Sequence, residues 1–206
     1  MNRIQFFILA LTLGIACSCK SPKEASYPDR DIYELKGNVK EVKVVVCGTG
    51  TEEVEYTLKF KKNGLCTRHK NDNLWKSKNI ESSTTRDANS RITVHNIKDK
   101  KGKDAKMETK YTYDKDGKVT NTSSMWYGKT VITEKYEYNA DGRLIRIERN
   151  ILDFNSPTKE TIHFRNPKHD AMDNWIEREG LKINENGQDG TISKSTFTEK
   201  REITYY

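Results

Sequence analysis

The sequence is poor in the residues that build a hydrophobic core. Leu, Ile, Val and Phe supply 41 of its 206 residues, and eight of these 41 lie within the first 16 positions. A doubly wound α/β enzyme needs apolar residues on both faces of its sheet, so this composition argues against that class and favours one thin domain. The region after residue 19 also lacks the Gly-x-Ser-x-Gly, P-loop, His-Glu-x-x-His and Cys-x-x-Cys motifs. We therefore expect that the protein is not an enzyme.

The four histidines show no close pairing of metal ligands. His163 and His169 lie six residues apart around positions 166–167, with Asp170 adjacent. Zinc sites usually take their ligands from closer pairs, so we interpret this stretch as a polar loop that follows a strand over residues 161–165. A metal site here is the less favoured alternative. We expect no bound metal and no cofactor.

Charge is abundant but spread along the whole chain. The formal net charge is +7, and the densest basic stretch, residues 98–106, is interrupted by two Asp. Such a stretch is typical of a solvated loop. Because no nucleic-acid recognition motif is present, we expect no nucleic-acid partner.

One long apolar run occurs, at residues 4–16, directly after the basic Arg3. It is too short to span a bilayer and suits a secretory signal. Cys17 and Cys19 follow small residues at its end, an arrangement that resembles the signal of bacterial lipoproteins. In that family the cysteine becomes the mature N-terminus and carries acyl chains such as palmitate. We favour Cys19 as the lipidated residue, with Cys17 as the alternative and an ordinary cleaved signal peptide as the other interpretation.

The polar stretch that follows predicts a tether. Residues 20–30 hold two of the four prolines and few apolar residues. We therefore divide the chain into a signal peptide at 1–18, a flexible tether at 19–30 and one domain at 31–206. No Asp follows either cysteine, and by resemblance to the sorting rule of Gram-negative lipoproteins this favours the outer membrane. The expected membrane partner is then contacted through the lipid.

Two cysteines remain in the predicted domain, Cys47 and Cys66. The predicted strands place them about eight residues apart along a shared strand, roughly 27 Å. A disulfide needs Cα atoms within about 7 Å. We expect two free thiols.

The most informative feature is an internal repeat. Lys-Tyr-Thr-Tyr-Asp-Lys-Asp-Gly at 110–117 recurs 25 residues later as Lys-Tyr-Glu-Tyr-Asn-Ala-Asp-Gly at 135–142. Weaker copies surround 58–65 and 181–187, and a further copy at 87–92 has Ser90 in place of Gly. Asp-Gly and Asn-Gly favour hairpin turns because Gly accepts a positive φ. The predicted turn glycines are Gly64, Gly117, Gly142 and Gly187.

Alternation within the repeat puts aromatic rings on one face of a strand. A row of exposed rings can stack on sugars or contact a partner protein, whereas a half-buried row covers the sheet. Both interpretations stay open. The candidate binding face comprises Tyr111, Tyr113, Tyr136, Tyr138, Trp126 and Trp175; Trp75 is a further exposed-aromatic candidate.

Long strands with few helical signals predict an all-β fold: a twisted antiparallel meander sheet built of repeated hairpins, with few or no helices after the signal peptide. The units resemble YD repeats, the RHS-like family. The tail, with Asp173-Asn174-Trp175 and residues 200–206, looks like the end of small YD-repeat-like lipoproteins of Gram-negative bacteria. Those have Gly where this chain has Asp173, so we expect a weaker turn there.

These features predict a non-enzymatic lipoprotein of the cell envelope that binds or scaffolds an envelope protein. One alternative is a glycan- or peptidoglycan-binding module that uses an aromatic sheet face. Another is a hydrolase whose site the sequence does not reveal.

Overall fold

The computed structural model describes residues 28–48, 51–71, 80–99, 107–152 and 157–206. The predicted signal peptide, Cys17, Cys19 and Trp75 lie outside these ranges. The described chain has a short helix, α1 (Pro28–Ile32), and twelve strands. The strands are β1 Val39–Gly48, β2 Thr51–Phe60, β3 Cys66–Asn71, β4 Ile80–Arg86, β5 Ile92–Asp99, β6 Met107–Tyr113, β7 Val119–Trp126, β8 Lys129–Tyr138, β9 Leu144–Ile151, β10 Thr158–His169, β11 Trp175–Asn186 and β12 Ile192–Tyr205.

All twelve strands form one antiparallel sheet, which confirms the predicted all-β meander. Its order is β3-β2-β1-β12-β11-β10-β9-β8-β7-β6-β5-β4. The last strand therefore lies beside the first, with Val44 opposite Arg201. This pairing joins the hairpin arm β1–β3 to the long meander β4–β12.

The sheet curls so that both of its edges reach α1. Asp29 accepts a hydrogen bond from the Cys66 amide at the start of β3 (2.6 Å) and binds the Arg86 guanidinium at the end of β4 (2.6 and 2.8 Å). Asp29 and Arg30 are fully buried. The predicted tether of residues 19–30 is therefore wrong at its end, because these two residues belong to the fold.

The chain reverses direction at two opposite ends of the sheet. One end, called the turn end, carries α1, the strap (residues 33–38) and five short turns at 61–65, 87–91, 114–118, 139–143 and 170–174. The other end, called the far end, carries the β7–β8 hairpin tip at Tyr127 and Gly128 and the β11–β12 connection. Every strand thus has one terminus at each end.

The apolar core is small and lies at the turn end. Its buried members come from the strap, β1 and β2: Leu35, Val39, Val42, Val44, Leu58 and Phe60. The predicted apolar face of β1 is present, since Val42 and Val44 are fully buried and Val46 packs against the cluster. Each buried Val or Leu contributes about 1.5–3 kcal/mol.

Polar side chains fill the middle of the concave inner face. Glu134 accepts hydrogen bonds from Thr122 and Arg149 (both 2.8 Å), and Arg149 also binds Glu160 (2.9 Å). Lys182 lies 3.5 Å from Glu160. Burial opposes ionisation of Glu134. The charge of Arg149 and the hydrogen bonds that Glu134 accepts nevertheless hold the pKa of Glu134 below its ordinary value. Paired charges therefore replace the missing apolar core across β7–β11.

Cys47 is exposed on β1 and Cys66 is half-buried at the start of β3, and the two are not joined by a disulfide, as predicted. Cys66 lies opposite Phe60 of β2.

Candidate binding cleft

The five turns of the turn end share one hydrogen-bond pattern. In each, the first amide donates to the carbonyl of the fifth residue, and the fourth amide donates to the carbonyl of the first. Asp114 shows the role of the acidic residue, because its side chain accepts hydrogen bonds from the amides of Asp116 and Lys118 (both 2.9 Å). The fourth residue has a positive φ in every case: Gly64 (78°), Ser90 (62°), Gly117 (86°), Gly142 (73°) and Asp173 (61°).

Gly187 does not share this role. It lies in the β11–β12 connection at the far end, where the residue with positive φ is Gly190 (70°). The predicted turn glycine is therefore displaced by three residues. A Cβ on Gly187 would instead lie 2.8 Å from the Pro157 carbonyl oxygen, so glycine is needed there for close approach.

Asp173 forms its turn despite the missing glycine. The Asp173 amide donates to Asp170 at 3.1 Å, as in the other turns. Its carboxylate binds Lys36 of the strap and lies 3.0 Å from Arg143. The expected weaker turn is thus tied to two neighbouring segments.

The second tyrosine of each clear repeat is held by the preceding repeat. Tyr113 donates to the Ile92 carbonyl (2.7 Å), and Tyr138 donates to the Val119 carbonyl (3.0 Å). Arg91 and Lys118 lie over these two rings, at 4.8 and 4.9 Å from the centroids. Burial raises the pKa of both hydroxyls well above the usual range. These tyrosines lock neighbouring turns together.

The first tyrosine of each repeat lies on the inner face. Tyr136 donates to Glu134 at 2.6 Å. Burial, with the nearby Glu134 and Asp29, raises the pKa of Tyr111 to about 12. The four repeat tyrosines are half-buried, so the structure does not provide the exposed tyrosine face that the alternation suggested.

The two candidate tryptophans differ completely. Trp175 is 6% exposed, and its indole N–H donates to Glu34 of the strap at 3.1 Å. Trp126 is 55% exposed at the far end, where its ring lies 5.5 Å from that of Tyr127. Of the six predicted face residues, Trp126 alone is largely exposed.

A cleft opens at the turn end where β9 and β10 separate. Their ladder runs from Ile151 opposite Thr158 to Arg146 opposite His163. β10 continues to His169 beside β11, with a β-bulge after Arg165. The predicted polar loop after residue 165 is therefore wrong. Asn166 (φ 51°) bends the strand within the bulge, and this bend accompanies the opening.

The cleft has a volume of about 910 Å³, within the range of small-ligand sites. Its walls are the strap, the turns at 114–118 and 139–143, and the end of β10 with the turn at 170–174. Ile145 (40% exposed) and Met172 (46% exposed) form its apolar rim. His169 lines it near Asp173, whereas His163 is not among its lining residues.

Arg178 forms the floor and is almost fully buried. Its guanidinium carbon lies 3.7 Å from the ring centroid of Phe164 and 4.0 Å from that of Trp175. It donates to Glu199 at 2.6 Å and to Glu34 at 2.9 Å. Two aromatic rings and two carboxylates therefore fix the plane of this cation.

The strap closes one side of the cleft through specific contacts. Asn174 accepts from the Lys36 amide (2.6 Å) and donates to the Lys36 carbonyl (3.1 Å). Arg30 donates to the Gly37 carbonyl at 2.9 Å. Sequence reasoning placed Trp175 on the candidate binding face and named Asn174 only as part of the family-like tail. It missed their contacts with the strap, because nothing in the local pattern identifies a partner 138 residues away.

The described ranges hold neither a cluster of metal ligands nor a helix that could span a membrane. No group of three or more His, Cys, Asp or Glu in those ranges is arranged to hold a metal ion. None of the helices described there has the length and apolar character needed to cross a membrane.

Comparison with known proteins supports the repeat interpretation. A family model described as Teneurin YD-shell matches residues 71–161, a stretch that contains the two clearest repeats. A crystal structure of a porin-like protein from Bacteroides uniformis shares 8% identity, with 81% of this chain and 96% of that chain covered and a TM-score of 0.45. No curated protein matches the sequence. The resemblance to YD-repeat proteins thus has independent support.

Proposed function

We propose that this protein is a non-enzymatic binding module of the bacterial cell envelope, held at the outer membrane by a lipid on Cys19. The observation that carries the proposal is the cleft at the turn end. It combines a volume of about 910 Å³ with a buried Arg178 and an exposed apolar rim at Ile145 and Met172. A few fixed polar groups within an apolar surround are typical of binding sites.

The pairing of the charged groups favours binding over hydrolysis. Arg178 is shared between Glu34 and Glu199, and Asp173 is shared between Lys36 and Arg143. A hydrolase needs a base within hydrogen-bond reach of a nucleophile or water. The cleft groups that are held most firmly are instead committed to one another, an arrangement suited to recognition.

The lipid anchor rests on the sequence. The structure begins at the turn end, and the eight residues 20–27 reach at most about 29 Å when extended. The anchor would hold the cleft close to the membrane.

Replacement of Cys19 by Ala should abolish acyl labelling; labelling that persists would move the anchor to Cys17, or away from both cysteines if the double variant Cys17→Ala, Cys19→Ala is labelled too.

Site-specific photo-crosslinking in intact cells tests the binding role. A photoreactive residue at Ile145 or Met172 should give the same discrete adduct from both rim positions. Lys135 is the control, since its side chain is 60% exposed in the middle of the sheet, away from both ends. Absence of adducts at the rim, or equal adducts at Lys135, would contradict a binding cleft.

A glycan-binding role at the far end is the second candidate. The exposed ring pair Trp126 and Tyr127 favours it, because aromatic rings stack on sugars. In this case purified peptidoglycan would retain the wild-type protein and lose most of the Trp126→Ala variant. Failure of the wild type to bind peptidoglycan would remove this candidate.

A further inference from the structure

We propose that the cleft floor is a receptor for a carboxylate of an acidic peptide, and that Glu34 of the strap occupies it as a built-in substitute. The inference rests on the proposed function, because it names the ligand chemistry of the same cleft. It predicts that a partner carboxylate replaces the Glu34 side chain.

The receptor consists of three donors from two strands. Glu34 accepts from the Leu144 amide of β9 (2.7 Å) with one oxygen. Its other oxygen accepts from the Trp175 indole (3.1 Å) and the Arg178 guanidinium (2.9 Å) of β11. Both oxygens are therefore engaged, one by a backbone amide and one by two side chains. This pattern recognises a carboxylate rather than a neutral group.

The receptor is built independently of Glu34. Phe164 and Glu199 hold Arg178 in place, and Trp175 is buried with it. The Leu144 amide belongs to the first residue of a strand. When the Glu34 side chain rotates away, the donors keep their positions because the sheet fixes them.

The local charge favours an anion once Glu34 leaves. Arg201 lies over the Trp175 ring at 3.3 Å, and its buried Nε and Nη1 atoms have no hydrogen-bond partner among the described residues. Burial and the neighbouring Arg178 lower the pKa of Arg201 to about 10, so it remains a cation at neutral pH. Two guanidinium groups would then face the single carboxylate of Glu199.

The backbone of the strap does not need to move. Glu34 has a positive φ (54°), a conformation that glycine adopts more easily. Arg30 on one side and Asn174 on the other hold the segment through backbone carbonyl and amide groups. Rotation of one side chain is therefore enough to open the receptor to the cleft.

The occupant in the structure also indicates the class of ligand. It is a peptide carboxylate flanked by the apolar Tyr33 and Leu35. The cleft beside it has an apolar rim at Ile145 and Met172. An acidic residue next to aliphatic or aromatic residues in a partner protein matches this combination.

A chemical-rescue experiment tests the receptor. Glu34→Gly vacates the site and suits the positive φ. Sodium propionate, compared with sodium chloride at equal ionic strength, should raise the melting temperature of this variant in a saturable way. Wild type and Glu34→Gln, whose receptor stays filled, should show no such shift. An equal response of Glu34→Gly and Glu34→Gln would overturn the receptor. If Glu34→Gly does not fold, Glu34→Asn replaces it, since Asn also tolerates positive φ.

Crosslinking from Ile145 tests the ligand and separates the two proposals. A peptide adduct whose yield rises several-fold in Glu34→Gly supports the exchange. A glycan adduct would overturn the peptide inference while the binding function stands. A peptide adduct whose yield is the same in the wild type and in Glu34→Gly would overturn the exchange. No adduct in either protein would contradict both.

Discussion

The two ends of the sheet use their aromatic residues in opposite ways. At the turn end, Tyr113 and Tyr138 donate to backbone carbonyls and Trp175 is buried against the strap. At the far end, Trp126 and Tyr127 are more than half exposed. The most regular part of the sequence therefore serves folding. The cleft lies where regularity fails, between the turns that begin at residues 139 and 170, which are 31 residues apart instead of the 25 that separate the two clear repeats.

The largest expected effect is at the turn end and follows the loss of Asp29. Asp29→Ala removes the carboxylate that binds Arg86, which keeps its hydrogen bond to the Ser90 carbonyl, and it releases the Cys66 amide, so both sheet edges lose their common contact. We expect a loss of about 3–5 kcal/mol in the free energy of unfolding, measured by denaturant titration. Asp116→Ala, at an exposed turn position, is the control. A loss below 1 kcal/mol for Asp29→Ala would mean that the edges are held elsewhere.

The turns should respond to their fourth residue. Gly117 has φ 86° and open space around its Cβ position, so Gly117→Val tests backbone strain alone. We expect a loss of about 1–3 kcal/mol. Ser90→Gly should instead raise the free energy of unfolding by about 1 kcal/mol, because it relieves the same backbone strain. Unchanged denaturant midpoints in both variants would contradict the claim that the fourth residue of these turns carries backbone strain.

The sequence predicted the periodic features and missed the long-range ones. Gly117, Gly142 and the alternating valines follow from local rules of turn and strand chemistry. Asp29 and Arg30 looked like tether because charged residues are seldom fully buried without partners, and those partners lie far along the chain. The cleft was not predicted for the same reason, since it depends on how far β10 continues beyond the end of its ladder with β9.

Alkaline pH should weaken the inner face. Burial raises the pKa of Tyr111 to about 12, above the unfolded value near 10. The folded state then holds its proton more tightly, so this stabilisation is complete below pH 10 and is lost as pH rises towards 12. Tyr111→Phe should reduce the slope of stability against pH in this window by up to about 1.4 kcal/mol per pH unit. An unchanged slope would show that Tyr111 ionises as freely in the folded protein as in the unfolded one.

The smallest expected effect concerns single hydroxyl groups. Tyr138→Phe removes the hydrogen bond to Val119 and should cost about 1 kcal/mol. Tyr127→Phe, at the exposed far-end tip, should change stability by less than about 0.5 kcal/mol. Equal losses at the two positions would contradict the different roles of the two ends.

Hydrogen exchange of single amides compares the ends most directly. The Leu35 amide donates to Arg30 and the Lys36 amide donates to Asn174, so the strap belongs to the locked turn end. We predict that both amides exchange at least about tenfold more slowly, relative to their intrinsic rates, than the amides of Trp126 and Lys129 at the far-end hairpin, a difference of about 1.4 kcal/mol. Strap amides that exchange as fast as those of the hairpin tip would contradict a preformed cleft at the turn end.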